Sequence, residues 1–152
     1  MQQQALSVLV AWVRLERAMD GFHAELRKGF GITGLQLSVL RICSERPQLP
    51  LAALRKTLVM HAATLGQAID ELRRMGLVTV RTDPNDRRAR MVALTEKGTA
   101  LIAEAPLAGP LRLRQVDHDT RRLENLAAAL EDAMDLFGLD DWAPGKKGAA
   151  KP

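Results

Sequence analysis

The sequence predicts a mainly helical α+β domain, and three observations carry that prediction. Apolar residues recur at helical spacing through most of the 152 residues. One pair of short alternating segments, near residues 77–94, interrupts the helical pattern as a β-hairpin would. Apolar residues make up 47% and aromatics only 3% with no Tyr, so the core must be aliphatic, and a Leu- and Ala-rich chain favours helices over a β-sandwich.

Taken in order, residues 5–28 read as a long helix. Leu9, Trp12, Met19, Phe22 and Leu26 recur along it, Leu6, Val10 and Val13 widen its apolar face, and Gly29 and Gly31 end it. That face is longer than a chain of this size needs for itself, which implies a partner. Thr33 is the expected N-cap of a helix over 34–45, with Leu35, Val39, Leu40 and Ile42 as its buried stripe. Pro47 and Pro50 bracket a loop, 51–58 is a two-turn helix, and 59–61 a tight turn. A helix over 62–75 follows, with Leu65, Ile69 and Leu72 inward, Arg73 and Arg74 at the negative end of its dipole, and Gly76 in left-handed geometry after it. Strands at 77–81 and 90–94 enclose an extended tip, Thr82-Asp83-Pro84-Asn85-Asp86-Arg87-Arg88. Thr95 caps a helix through 105, Pro106, Gly109 and Pro110 break the chain, and a last helix covers 112–137. Residues 143–152, rich in Gly, Ala, Lys and Pro, read as a disordered tail. The middle of the chain is thus a helix-turn-helix followed by a β-wing.

Charge locates a candidate site. The formal net charge is +4, and residues 55–97 hold nine basic against five acidic residues, so the whole excess lies in that segment. A localised positive excess is the footprint of a polyanion site. The hairpin carries half of it: Arg81, Arg87, Arg88 and Arg90 exceed what a solvated turn needs, and exposed ion pairs worth about 0–1 kcal/mol do not account for them. A wing beside a helix-turn-helix reaches the minor groove, whose negative potential attracts Arg. Asp86 among those arginines is expected to brace Arg88, or a basic group of the 62–75 helix, by a charge-assisted bond.

The stretch 65–98, LGQAIDELRRMGLVTVRTDPNDRRARMVALTEKG, resembles the MarR family of bacterial transcription regulators. The matching elements are Leu72 before Gly76-Leu77-Val78, then Asp83-Pro84-x-Asp86-Arg87-Arg88, then Leu94-Thr95-Glu96-Lys97-Gly98; the segment 33–40 is similar to that family's second helix. The resemblance implies a winged helix-turn-helix DNA-binding lobe over 33–105 and a dimerisation lobe from helices in 5–30 and 106–138. It implies a homodimer on double-stranded operator DNA, the 62–75 helix in the major groove and the wing on backbone and minor groove. It also implies release by a small ligand, an aromatic or phenolic carboxylate in many members.

On the reading helix the candidate contacts are His61, Ala62, Thr64, Gln67 and Arg73. Gly66 and Gln67 depart from the family pattern. Gln67 suits bidentate adenine readout, or is simply an exposed Gln; Gly66, costly inside a helix, fits a close approach to DNA backbone. His61 is open to three roles: capping the helix, contacting phosphate, or lining a ligand pocket. Trp12, Arg17 and His23 on the first helix, with His61, form a candidate effector pocket, an apolar wall with cations for an anionic ligand; packing between subunits is the competing reading of the same residues.

The single Cys43 excludes an internal disulfide and reads as a buried structural thiol. Asp117-His118-Asp119 lacks a second ligand cluster, so no metal site, cofactor or catalytic set is predicted. No stretch reaches the roughly 20 apolar residues of a membrane span and no basic n-region precedes residues 6–13, so neither span nor signal peptide is predicted and the cytoplasm is the expected compartment. The expected function is a ligand-released transcriptional repressor; the alternative is a winged-helix protein-interaction module without DNA binding.

Overall fold

A computed structural model describes residues 1–144, which fall into two compact units, 1–112 and 113 onward. The first contains α1 (Gln2–Phe30), α2 (Gly34–Ser44), β1 (Leu49–Pro50), α3 (Leu51–Leu58), α4 (Ala62–Arg74), β2 (Val78–Asp83), β3 (Asp86–Leu94) and α5 (Glu96–Glu104). A short α6 (Arg112–Gln115) spans the boundary, and α7 (Thr120–Leu136) with a 3₁₀ turn, Asp140–Trp142, makes up the second unit. The mainly helical winged-helix class is therefore as the sequence predicts, with a three-stranded antiparallel sheet in the order β1-β3-β2.

Aliphatic burial organises the first unit. Leu26, Ile32, Leu40, Leu54, Leu65, Leu72, Leu77 and Val92 are fully buried in one cluster. Each such side chain contributes about 1.5–3 kcal/mol when taken from water. They come from α1, α2, α3, α4 and β3 together with the segments after α1 and α4, so the cluster ties these parts to each other. In α2 the stripe is broader than expected: Gln36, Leu37, Arg41 and Cys43 are buried beside Val39, Leu40 and Ile42, while Leu35 is only half-buried.

Local chemistry sets the boundaries. Gly31 (φ 67) and Gly76 (φ 74) take the left-handed geometry that terminates α1 and follows α4; Gly29 lies inside α1 instead of ending it. Thr33 caps α2 and Thr95 caps α5 through their hydroxyls. The α3–α4 turn is made by Val59 at φ 51, a β-branched residue in a region that disfavours it. The loop expected after Pro47 contains the two-residue strand β1, where Leu49 pairs with Val92 and Pro50 with Met91; proline is tolerated at that sheet edge.

The hairpin ladder is regular from Val78–Leu94 to Thr82–Arg90, which matches the expected strands. Beyond it Asp83 stands opposite Asp86, so the register jumps and residues 87–89 bulge out of the ladder. The expected single helix over 112–137 is two: α6 ends at Gln115, residues 116–119 are non-helical, and Asp119 caps α7 by accepting from the Arg122 amide. Of the tail expected over 143–152, residues 145–152 lie outside the described residues.

One glycine is fixed by close approach. A Cβ on Gly98 would meet the Leu77 carbonyl oxygen at 2.2 Å, a backbone atom that cannot swing away. Gly98→Ala should therefore cost about 1–3 kcal/mol, read as a lower urea midpoint. Gly21→Ala in α1, with nothing within 4 Å of the added atom, should instead gain about 0.5–1 kcal/mol. Equal midpoints for the two variants would show that the contact of α5 with Leu77 is not tight.

Candidate nucleic-acid interface

The helix-turn-helix fixes which face of α4 looks outward. Leu65, Ala68, Ile69 and Leu72 are buried, which leaves His61, Ala62, Thr64, Gln67 and Arg73 exposed on the other side. All five candidate residues of this helix are thus exposed. His61 is the N-cap residue but its side chain makes no capping bond, so the capping role considered for it is not realised. Gly66 is half-buried with open space where a Cβ would stand, so the chain itself does not demand glycine there.

In the wing, Asp83 accepts from the Asn85 amide (2.9 Å) and Asp86 from the Arg88 amide (3.0 Å). Asp86 therefore braces the backbone of the bulge, which corrects the expected bond to a guanidinium. The bulge displays Arg87 and Arg88, and Arg81, Arg87, Arg88 and Arg90 are all exposed. Among the described residues none of the four joins an ion pair; the nearest charge pair is Arg73–Asp70 on α4, at 3.9 Å and well exposed. Two open grooves lie on the hairpin side of the helix. One of about 370 Å³ runs between α4 and the hairpin, with Arg73, Arg81 and Arg90 on its walls. The other, about 310 Å³, has Arg55, Arg88 and Arg90 over an apolar floor of Pro50, Leu51 and Leu65. Apart from Arg73, which pairs with Asp70, these guanidinium groups have no carboxylate partner among the described residues, and beside an exposed helix they form a surface that attracts a polyanion.

Side chains that the sequence reading did not single out hold α4 in place. Gln36 accepts from the Thr33 amide (2.9 Å) and donates to the Glu71 carboxylate (2.8 Å). Lys97 donates to the Met75 carbonyl (2.8 Å) and Thr95 to the Gly76 carbonyl (2.6 Å), so the Thr95-Glu96-Lys97-Gly98 motif clamps the C-terminal end of α4. The Thr33-x-x-Gln36 spacing is a capping-box signature that would have pointed to Gln36; nothing in the sequence announces its second bond.

The sequence profile of the MarR family matches residues 30–89, from the end of α1 to the wing bulge. Over that segment the chain is similar to the MarR family. It is 34% identical over 74 residues to the transcriptional regulator HosA of Escherichia coli O111:H-, an alignment covering 49% of this chain and 55% of that protein. It therefore spans about half the length of the curated relatives it matches. Among solved structures, the transcriptional regulator BldR of Sulfolobus solfataricus is similar with a TM-score of 0.64 at 26% identity, over 85% of this chain and 96% of that one. A structure of Bordetella bronchiseptica BpsR, described as showing regulation of its DNA binding by 6-hydroxynicotinic acid, gives 0.57 at 25% identity, over 80% and 90%.

The chain also has a cavity of about 230 Å³ within its first unit, where Phe22 and His23 of α1 face Leu37 and Arg41 of α2 and the segment 108–111. His23 packs on the first turn of α2: a Cβ on Gly34 would lie 2.6 Å from its Nε2. Of the four residues nominated for an effector pocket only His23 lines this cavity; Trp12 and Arg17 are exposed earlier on α1, and His61 is at the start of α4. The amphipathic spacing of α1 could not show where along its length the cavity opens. Arg41 was missed because it sits in an apolar run; it is buried and donates to the Ala105 and Pro106 carbonyls (3.2 and 3.0 Å). Desolvation lowers its pKa from the ordinary guanidinium value.

Cys43 is buried, and desolvation raises its pKa from 9.0 to about 11. The stability gained by burying the neutral thiol is thus complete below pH 9 and fades as pH rises towards about 11. In mildly alkaline buffer Cys43 should resist an aromatic disulfide reagent in the native protein and react fully in denaturant. Fast native labelling would contradict this burial.

Proposed function

We propose that this chain is a transcription regulator that acts as a homodimer on double-stranded operator DNA. The observation that supports it most is the set of exposed guanidinium groups on the wing, none of them ion-paired among the described residues, beside an outward-facing α4. In this reading α4 enters the major groove with Thr64 and Gln67 towards base edges. Arg87 and Arg88, carried on the bulge, take the adjacent backbone and minor groove. Like HosA and BldR in their names, it works in transcription, and we place it in the cytoplasm. No helix among the described residues is long and apolar enough to cross a membrane.

The dimer is supported by apolar surface left open in the single chain. Leu6, Val8, Leu9, Val10 and Leu15 of α1 are between 44 and 60% exposed, and Leu126 and Leu130 of α7 are 44% and 52% exposed. Surfaces of this kind mark association sites. Two copies would present two α4 helices to half-sites about 10 bp apart.

The ligand is a small aromatic acid held in the cavity beside His23 and Arg41, with Phe22 as its apolar wall. BpsR supplies a precedent for control of DNA binding by such a molecule. We assign the outcome of ligand binding as release of DNA, which makes the protein a repressor.

Arg88→Ala should weaken binding to every duplex tested, by fluorescence anisotropy, and should lower the steepness of log affinity against log salt by about one phosphate contact. Unchanged affinity would remove the wing from the interface, and an unaltered wild type that binds no duplex would favour the protein-interaction alternative. For the ligand, 6-hydroxynicotinic acid or a related aromatic acid should raise the thermal midpoint by mass action. Gly34→Ala, which pushes His23 into the cavity, should abolish the shift. A shift that survives this substitution would place the ligand elsewhere.

A further inference from the structure

We infer that Gln36 is a positioning residue for the reading helix: its side-chain amide fastens α4 to α2 at one defined angle. The inference deepens the DNA-binding reading and rests on it.

The bond is built in a way that allows one arrangement. Gln36 is buried, 3% exposed, and its amide oxygen is occupied by the Thr33 amide at 2.9 Å. A backbone N–H can only donate, so the oxygen must face Thr33 and the NH₂ must face Glu71, whose Oε2 it meets at 2.8 Å. Both ends of the amide are therefore committed, and the ring of contacts is closed by Thr33 Oγ1, which accepts from the Gln36 amide N–H at 3.1 Å. The capping box thus makes Gln36 a rigid bracket on the first turn of α2, pointing a donor at α4 across 35 residues of sequence.

The place it grips matters for DNA. Glu71 lies one turn beyond Gln67 and two turns beyond Thr64 on α4, so the three share one stripe of the helix. Fixing Glu71 sets the rotation of α4 about its axis, and so the direction in which Gln67 and Thr64 point. It also turns a carboxylate on a surface meant for phosphates towards a donor. Apolar packing of Leu65, Ile69 and Leu72 alone is non-directional; the bond adds the direction. Lys97 and Thr95 hold the Met75 and Gly76 carbonyls just beyond it, so α4 is pinned over its last turn and the residues that follow.

The test uses the full chain and exchanges the two partners. Gln36→Glu keeps the capping box, because Glu accepts from the Thr33 amide equally well, but sets one carboxylate against another. The double variant Gln36→Glu with Glu71→Gln restores a donor facing an acceptor with its direction reversed. Hydrogen exchange of the α4 amides and anisotropy with a mixed-sequence 30-bp duplex are the readouts. Gln36→Glu should accelerate exchange in α4 more than in the sheet and weaken duplex binding about tenfold, the scale of a charge-assisted bond; the double variant should return both to near wild type. If Gln36→Glu does not fold, the double variant alone decides, since it should match the wild type in both readouts. Exchange and affinity unchanged in Gln36→Glu, or losses that the double variant does not reverse, would overturn the inference. The exchange readout needs no DNA, so a wild type that binds no duplex would sink the DNA reading and leave the seating of α4 to be judged by exchange.

Discussion

Everything on the candidate interface depends on the burial of one side of α4. Leu65, Ile69 and Leu72 enter the same aliphatic cluster as Leu40 of α2 and Val92 of β3, and a helix with three residues committed inward has no choice about what it shows outward. The same cluster takes in Leu77 and Val78, which start the hairpin directly after α4. Helix and wing are therefore set side by side by shared burial rather than by any contact between their polar surfaces. That separation leaves the polar surfaces unspent: the arginines of the wing need no internal partner to hold the wing in place.

Leaving guanidinium groups unpaired has a cost, and the fold confines it. At a Debye length of about 8 Å in physiological salt, exposed like charges repel over short range only. Arg81, Arg87, Arg88 and Arg90 are spread over two strands and a bulge, and the acidic residues at the tip hold backbone amides instead of neutralising the arginines. Asp83 and Asp86 thus shape the hairpin tip while leaving the guanidinium charges available. The positive excess concentrated in residues 55–97 of the sequence becomes, in three dimensions, the lining of two grooves between one helix and the hairpin.

The sequence showed this fold well where periodicity and turn chemistry act locally. Leu65, Ile69 and Leu72, the caps Thr33 and Thr95, the left-handed Gly76 and the alternation of 78–82 against 90–94 each announce themselves within a few residues. What stayed hidden depends on contacts distant in sequence. β1 is two residues long and exists only because β3 is beside it. The bulge at 87–89 is a matter of register between strands, which composition does not encode. The break between α6 and α7 falls at 116–119, where the apolar repeat runs through, and Asp119 restarts the helix as a cap. Arg41 and Gln36, polar residues in an apolar run, are buried because carbonyls after α5 and a carboxylate on α4 meet them, and neither partner can be guessed from α2 alone.

Buried polar bonds of this kind do something that apolar packing cannot. An aliphatic interface tolerates small rotations of one helix against another with little loss, since its attraction depends on area and hardly on angle. A buried amide that loses its partner pays the desolvation of the orphaned group, about 1–3 kcal/mol. α2 carries two such groups. Gln36 holds α4, while Arg41, five residues on, holds the carbonyls that follow α5 and stands on the wall of the cavity beside His23. Any shift of α2 that preserved the apolar core but moved Arg41 would also strain the bond at Gln36. A single helix thus carries one committed polar contact beside the cavity and another on α4, and links those two parts of the unit with a direction that apolar packing lacks.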